Sequence, residues 1–439
     1  MHTLERLRRG ELNGITRLDL SEDLTEFPRE IFTLADSLEV LNLSGNRLSS
    51  LPDDLHRLHR LRILFCSDNC FSEVPALLGN CAELEMVGFK ANRIRSLSAD
   101  ALPAKLRWLI LTDNQLESVP DEIGTCHRLQ KLMLAGNRLD SLPATLANCH
   151  RLELLRVAAN RLPSLPAWLL TMPRLSWLAF AGNPFSDAIE ATTLAQHPVP
   201  PIEREHIAFG DVLGQGASGV IHRAEWQPPA QAARSMAAKL FKGSLTSDGL
   251  PHSEMAACIA AGEHPNLIGV AGPLADRDEA LPGLLMELVD PSFQVLASPP
   301  SLASCTRDCY APQQRFSSEQ VLRIATGVAS VMLHLHQRGI LHGDLYGHNL
   351  LVEPSGSTLL SDFGAASFHD PLSEQGRALQ RLEVRAFGCL LEELQERCDH
   401  GGQASWLPRL TAIKQQCLGD TPLQRPDFHA LFSELSAIA

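Results

Sequence analysis

Three polar residues in the second half of the chain have the types and spacing that phosphate chemistry requires. Asp344, Asn349 and Asp362 follow one another at intervals of five and then thirteen residues. The first two lie in Ile340-Leu341-His342-Gly343-Asp344-Leu345-Tyr346-Gly347-His348-Asn349-Leu350-Leu351, the third in Leu359-Leu360-Ser361-Asp362-Phe363-Gly364. Asn349 and Asp362 offer hard oxygen atoms suited to Mg²⁺. Asp344 offers a carboxylate that can orient a hydroxyl and accept its proton. Upstream, Lys239 in Met236-Ala237-Ala238-Lys239-Leu240 adds a compact ammonium able to hold phosphate oxygens. Only six of the 38 basic residues are Lys, so a Lys at this place is informative. Still earlier, Leu213-Gly214-Gln215-Gly216-Ala217-Ser218-Gly219-Val220-Ile221 is a glycine-rich segment whose backbone N–H groups can come close to phosphates because no Cβ intervenes. The chemistry open to this set is phosphoryl transfer from a nucleotide.

The elements that must position these groups are legible around them. The flanks of the glycine segment, residues 207–212 and 220–224, both read as strands, so the glycines cap a hairpin and do not open a helix. Residues 253–261 read as a helix carrying Glu254, the candidate ion-pair partner of Lys239, with Glu263 as its rival. Leu284-Leu285-Met286-Glu287-Leu288-Val289 reads as a strand running into a hinge whose backbone, at Glu287 and Val289, would meet an adenine edge. Taken together, these segments resemble the eukaryotic-type protein kinase family over residues 205–436. Residues 383–394 look like that family's buttressing helix, and Arg425-Pro426-Asp427-Phe428 matches its closing motif.

The resemblance implies a two-lobed α+β kinase domain over 204–439 that uses ATP and Mg²⁺. Lys239, Glu254 and Asp344 would be catalytic, and Asn349 and Asp362 would bind the metal. Leu213 to Ile221 would cover the phosphates, and Ile221, Ala237 and Leu351 would sandwich the adenine. The acceptor would be a Ser or Thr hydroxyl of a protein. The chain also departs from the pattern. Gly343 stands where many kinases carry an Arg that pairs with a phosphorylated activation loop, so the usual phosphorylation switch is expected to be absent. Tyr346 replaces a Lys, and Glu383 replaces an Asp. Only about twenty residues separate Asp362 from Glu383, with no A-P-E motif, which leaves Arg425 without an assigned partner. Two other readings stay open: a pseudokinase scaffold and a small-molecule phosphotransferase.

The first half is periodic. Asn46, Asn69, Asn92, Asn114, Asn137, Asn160 and Asn183 recur at intervals of 22 or 23 residues, each after an L-x-x-L-x-L pattern such as Leu106, Leu109, Leu111. Most units continue with Leu-Pro or Val-Pro, as at Leu51-Pro52 and Val119-Pro120. This resembles the leucine-rich-repeat family and implies an α/β solenoid of seven to eight units over residues 1–187, since one unit alone cannot bury its leucines. The recurring Asn suits a turn in which its amide satisfies backbone groups of adjacent coils. The exposed strand positions include Phe65, Met86, Trp108, Ile110, Met133 and Trp177, an apolar strip that the resemblance places on the concave face. It would bind a protein partner or substrate, or dock on the chain's own second domain. Residues 188–203 contain His197-Pro198-Val199-Pro200-Pro201 and read as a short, stiff linker.

Composition narrows the field. A net charge of −13 with no dense basic run argues against nucleic acid as a partner. No stretch approaches eighteen apolar residues, so no membrane span is expected. The 11 cysteines, an odd number, read as reduced thiols, and Cys81, Cys126 and Cys149 as small buried residues at one repeat position. With no signal peptide visible, the expected location is the cytoplasm.

Overall fold

Each recurring Asn from Asn46 to Asn160 hydrogen-bonds the coil before it. Asn137 donates to Leu111 O and Leu134 O at 2.9 and 3.0 Å and accepts from Leu116 N–H at 2.9 Å. Asn69, Asn114 and Asn160 repeat the pattern on Leu43 O, Phe89 O and Leu134 O. The residue before each Asn takes a left-handed backbone: Gly45, Asp68, Ala91, Asp113, Gly136, Ala159 and Gly182. Gly accepts that conformation at no steric cost, and Asp tolerates it. Ala91 and Ala159 adopt it at some cost, which the amide ladder offsets.

The computed structural model describes residues 2–216, 218–243, 245–246, 248–275, 281–399 and 406–438. The chain divides into Met1–Met172 and Pro173–Ala439. In the first unit seven three-residue strands, from Arg17–Asp19 to Leu154–Arg156, pair in parallel in chain order. Their central residues, Leu18, Leu41, Leu64, Val87, Leu109, Leu132 and Leu155, are buried in register. On the return path the recurring Pro starts a 3₁₀ turn. Pro28, Pro75, Pro120 and Pro143 each accept from the backbone N–H three residues on, at 3.1 Å. Proline's fixed φ suits that start. Cys81, Cys126 and Cys149 are buried, and burial raises their thiols to about 11, 11 and 12. Helix Leu4–Arg8 precedes the first strand and buries Leu7.

The second unit begins earlier than the sequence suggested. The last repeat by register, with its strand Trp177–Ala179 and its turn Asn183, belongs to this unit. The stretch expected to be a linker from residue 188 is largely the helix Pro184–Gln196. Asn183 is its N-cap and Pro184 its first residue, a position that needs no backbone N–H. Residues further on join a five-stranded antiparallel sheet: Ile202 N–H donates to Pro273 O and Ala275 N–H to Ile202 O, both at 2.8 Å. That sheet runs Ile207–Gln215, Gly219–Trp226, Arg234–Phe241, Gly283–Glu287, Val270–Pro273, with helix Pro251–Ala261 packed on it. The following lobe is helical: Ser318–Gln337, Glu374–Glu396, Leu407–Cys417 and Phe428–Ser436. Ser317 opens its first long helix with a capping box shared with Gln320. Among the described residues no helix is long and apolar enough to cross a membrane.

Replacing Asn137 with Ala strips two carbonyls and one N–H of their partner in a buried turn. The expected loss is about 2–4 kcal/mol. It should appear as a lower urea midpoint for the repeat unit, while the same change at exposed Glu117 leaves the midpoint in place.

Candidate active site

Lys239 sits in the middle strand of the sheet, opposite Ile221 on one side and Leu284 on the other. Helix Pro251–Ala261 presents Glu254 from its first turn, and the two side chains form an ion pair that is 12% and 2% exposed. Glu263, the rival, lies beyond the helix and is exposed. Burial by itself would lower the Lys239 pKa, but the carboxylates of Glu254 and Asp362 outweigh it and the net shift is upward. The ammonium therefore stays charged. Burial also pushes the Glu254 carboxyl up, and Asp362 adds to that push.

The loop after Ile340–Leu341 is held by a chain of buried hydrogen bonds. His342 is fully buried, bonds Ser361 O through Nε2 at 3.0 Å and accepts the Asp344 N–H on Nδ1 at 3.3 Å. Gly343 N–H donates to Glu383 Oε1 at 2.5 Å, and His336 Nε2 meets Glu383 Oε2 at 2.8 Å. These partners hold the Glu383 carboxyl below its usual range although burial opposes them. Asn349 Nδ2 donates to both Asp344 O and Asp344 Oδ2 at 2.8 Å. Ser361 closes the circuit by donating its N–H and its hydroxyl to Asn349 O, each at 2.9 Å. Next to it, Asp362 has φ +57° and accepts the Gly364 N–H at 3.1 Å. Asp is among the few non-glycine residues that tolerate this left-handed backbone.

These groups meet at one cavity of about 270 Å³. Its lining includes Gly216, Ser218, Gly219, Ile221, Lys239, Glu254, Asn349 and Asp362. Asp344 is not on the lining but bonds Asn349, which is. Leu213, Gly214, Gln215, Val220, Ala237, Glu287, Val289 and Leu351 lie off this lining too, and Ala217 falls outside the described residues. Glu287 N–H donates to Gly269 O, turning that side of the hinge toward the neighbouring strand. The three loop glycines differ in purpose. A Cβ on Gly214 or Gly216 would meet nothing, whereas on Gly219 it would lie 2.4 Å from Leu240 O. Strand packing thus requires the third glycine, and the first two leave backbone open to a ligand.

Residues 207–386 match the family model for protein tyrosine and serine/threonine kinases, and residues 36–79 and 104–162 match leucine-rich-repeat models. The chain carries leucine-rich repeats and a protein kinase domain. Among curated relatives, it is 24% identical over 279 residues to a probable LIM domain-containing serine/threonine-protein kinase of Dictyostelium discoideum, covering 54% of this chain and 40% of that protein. It is 23% identical over 220 residues to serine/threonine-protein kinase PknB of Mycobacterium leprae, covering 44% and 33%. A mouse leucine-rich repeat and calponin homology domain-containing protein is 33% identical over 112 residues, covering 25% and 16%. The chain spans less than half the length of each of these relatives.

Between Asp362 and the long helix Glu374–Glu396 the kinase domain has only a short connection, in which Ser367–Phe368 pairs with Ile340–Leu341. Arg425, 2% exposed, donates to three backbone carbonyls: Gly419 O at 2.9 Å, Arg381 O at 3.1 Å and Pro173 O at 2.7 Å. Its burial and the nearby Arg385 lower its pKa to about 10. Gly343 is required by shape. Its φ is +72°, and a Cβ there would lie 2.4 Å from Ala365 O and 2.9 Å from Leu178 O.

Several contributors escaped sequence reasoning. Asp308 accepts His348 Nδ1 at 2.7 Å and His348 N–H at 3.1 Å, and His348 lines the cavity 4.0 Å from Asp344. Burial opposes a charge on His348, but Asp308 and Asp344 outweigh it and raise its pKa. Asp308 comes from an irregular stretch with no motif to reveal it. Trp177 was expected on an apolar strip that binds a protein partner or docks on the chain's second domain, and it is not open to a separate partner. It is instead buried, 1% exposed, with its ring stacked on Tyr346 at 4.2 Å and its Nε1–H on Leu345 O at 2.9 Å.

Two outcomes follow for the kinase domain. Gly343→Ala should cost about 2–4 kcal/mol, from the left-handed backbone and the collision with Ala365 O; thermal unfolding measures it. Glu393 is buried beneath Tyr310, whose hydroxyl donates to it at 3.0 Å, and burial raises its carboxyl to about 7. Because the folded pKa lies above the unfolded value, the fold loses stability as pH rises from about 4.5 through 7, by an amount on the order of 3 kcal/mol. Glu393→Gln should therefore raise the melting temperature at pH 8 and leave it nearly unchanged at pH 4.5.

Proposed function

We propose that the chain is an ATP-dependent protein kinase acting on Ser or Thr hydroxyls, with its repeats recruiting the protein it modifies. One observation carries the reading: the Lys239–Glu254 ion pair and the Asp344–Asn349–Ser361 circuit, from distant parts of the chain, converge on one cavity. A scaffold has no physical need for a buried, charged ammonium facing a second carboxylate. The Ser/Thr acceptor is supported by the two kinase relatives above.

In this reading Lys239 binds phosphate oxygens, and Glu254 fixes its rotamer. Asp344, oriented by Asn349 Nδ2, takes the proton of the acceptor hydroxyl. Asn349 and Asp362 fit Mg²⁺. The Asn349 amide nitrogen is spent on Asp344, which leaves Oδ1 as its ligand atom, and Asp362 lines the same cavity. Among the described residues no cluster of three or more His, Cys, Asp or Glu forms a metal cage. That accords with a cation held by two side chains together with phosphates. The metal would supply charge neutralisation of the phosphate oxygens.

On the repeats, Trp108 donates to Met133 Sδ at 3.4 Å and carries the Lys131 ammonium over its ring at 4.6 Å. Phe65 covers Gly88, where a Cβ would lie 2.6 Å away. Phe65, Trp108, Ile110 and Met133 are half-buried and form an ordered apolar strip suited to a protein partner, while Met86 is buried beneath it.

Incubation with labelled ATP and Mg²⁺ should label protein Ser or Thr. Asp344→Ala should lower the rate by about a thousandfold or more, and Lys239→Met by a similar factor. Labelling confined to amino sugars or alcohols, or equal labelling by Lys239→Met, would overturn the assignment. A Phe65→Ser, Trp108→Ala double variant should raise KM for a protein substrate and leave kcat on a short peptide unchanged.

A further inference from the structure

The short connection after Asp362 leaves the catalytic loop without its usual neighbour, yet the loop is tightly packed. The segment just before the kinase sheet occupies that place. Trp177 stacks face to face on Tyr346, at an interplanar angle of 7°, and donates Nε1–H to Leu345 O, one residue beyond Asp344. Tyr346 in turn lies 5.0 Å from the His348 ring, so three rings run from the segment to the cavity wall. Phe180 N–H donates to Ser367 Oγ at 3.0 Å, fixing the connection itself. Pro173 O takes the third hydrogen bond of Arg425, which has no carboxylate partner among the described residues.

The same segment also braces the helix that carries Glu254. Glu190 is buried, and both its oxygens accept the Ser253 hydroxyl, at 3.2 and 3.0 Å. Ser253 is the residue directly before Glu254, in the first turn of that helix, where a carboxylate also suits the helix dipole. At the other end, His197 Nε2 takes an N–H of Arg338, which bonds Ala260 O in the last turn of the helix, both at 3.1 Å. Residues 173–197 thus touch the catalytic loop, the short connection and the start of the Glu254 helix, and reach its end through Arg338.

We infer that residues 173–197 form a permanent activating strap, in which Trp177 positions the catalytic loop and Glu190 positions the Glu254 helix. The inference rests on the kinase reading above. By constant contact the strap does what a phosphorylated activation loop does elsewhere, and Gly343 removes the Arg that such a loop would need. Trp177 and Glu190 are positioning residues, since neither lines the cavity.

The experiment uses the full chain with Mg·ATP and dephosphorylated casein. Trp177→Ala should lower kcat by about ten- to a hundredfold with KM for ATP changed less than about twofold, because a small displacement of the loop costs that much while Lys239 is untouched. Trp177→Phe keeps a ring but loses the N–H, and should fall between Ala and wild type. Glu190→Ala should raise KM for ATP about fivefold or more, with recovery in Glu190→Gln, which still accepts the Ser253 hydroxyl. Phosphatase treatment of wild type should leave kcat unchanged. Binding of a fluorescent ATP analogue by each variant confirms a folded cleft. A Trp177→Phe kcat equal to wild type, a Trp177→Ala kcat equal to or above wild type, or a large loss on phosphatase treatment overturns the strap alone. A wild type that transfers no phosphate to casein or itself overturns the kinase reading, and the strap's catalytic role with it.

Discussion

The candidate site depends on one buried carboxylate. Glu383 comes from the middle of a long helix and is shut away from water, where an unpaired charge would cost several kcal/mol. It is kept ionised by the Gly343 N–H and the His336 imidazole. That N–H is aimed at Glu383 because Gly343 turns through positive φ, and the turn in turn points Asp344 toward Asn349. Asn349 is locked by Ser361, and Ser361 precedes Asp362. Asp344, Asn349 and Asp362 are therefore oriented by a chain of hydrogen bonds anchored at one point. Preorganisation of this kind lets each polar group act without rearranging at the moment of reaction.

The repeats solve the same problem with a different side chain. A coil that turns every 22 or 23 residues exposes backbone groups inside a buried turn, and the Asn amide, with donor and acceptor on one plane, satisfies both sides. Asn183 shows how the array stops. Followed by Pro184, it caps a helix instead of turning another coil. That helix carries Glu190 to the kinase domain, so the end of the repeat pattern and the bracing of the Glu254 helix arise from the same two residues.

The departures from the kinase pattern are mutually consistent once placed in space. The glycine at 343 fits because Leu178 O and Ala365 O leave no room for a Cβ. Tyr346 in place of a lysine offers a flat ring, and Trp177 stacks on it. Glu383, one methylene longer than the residue it replaces, reaches both Gly343 and His336. Arg425, with no acidic partner among the described residues, is served by three carbonyls, whose partial charges satisfy its donors at a reduced pKa.

What the sequence determined by itself was whatever depends on near neighbours. The 23-residue Asn ladder, the hairpin under the glycines, and the Asp344, Asn349, Asp362 spacing all express constraints within one turn, strand or loop. These constraints leave a periodic or fixed-distance trace in the residue order. The choice of Glu254 over Glu263 was partly visible, through its place in the helix, but only folding shows which carboxylate faces Lys239. Asp308 and Pro173 left no trace at all, and Trp177 showed only as one position of an apolar strip whose partner was undecided. Trp177 reaches Leu345 across 168 residues and Arg425 reaches Pro173 across 252. At such separations the partner is set by how whole elements pack, and a side chain that reads as a repeat-surface tryptophan is, once packed, bonded to the loop that carries Asp344.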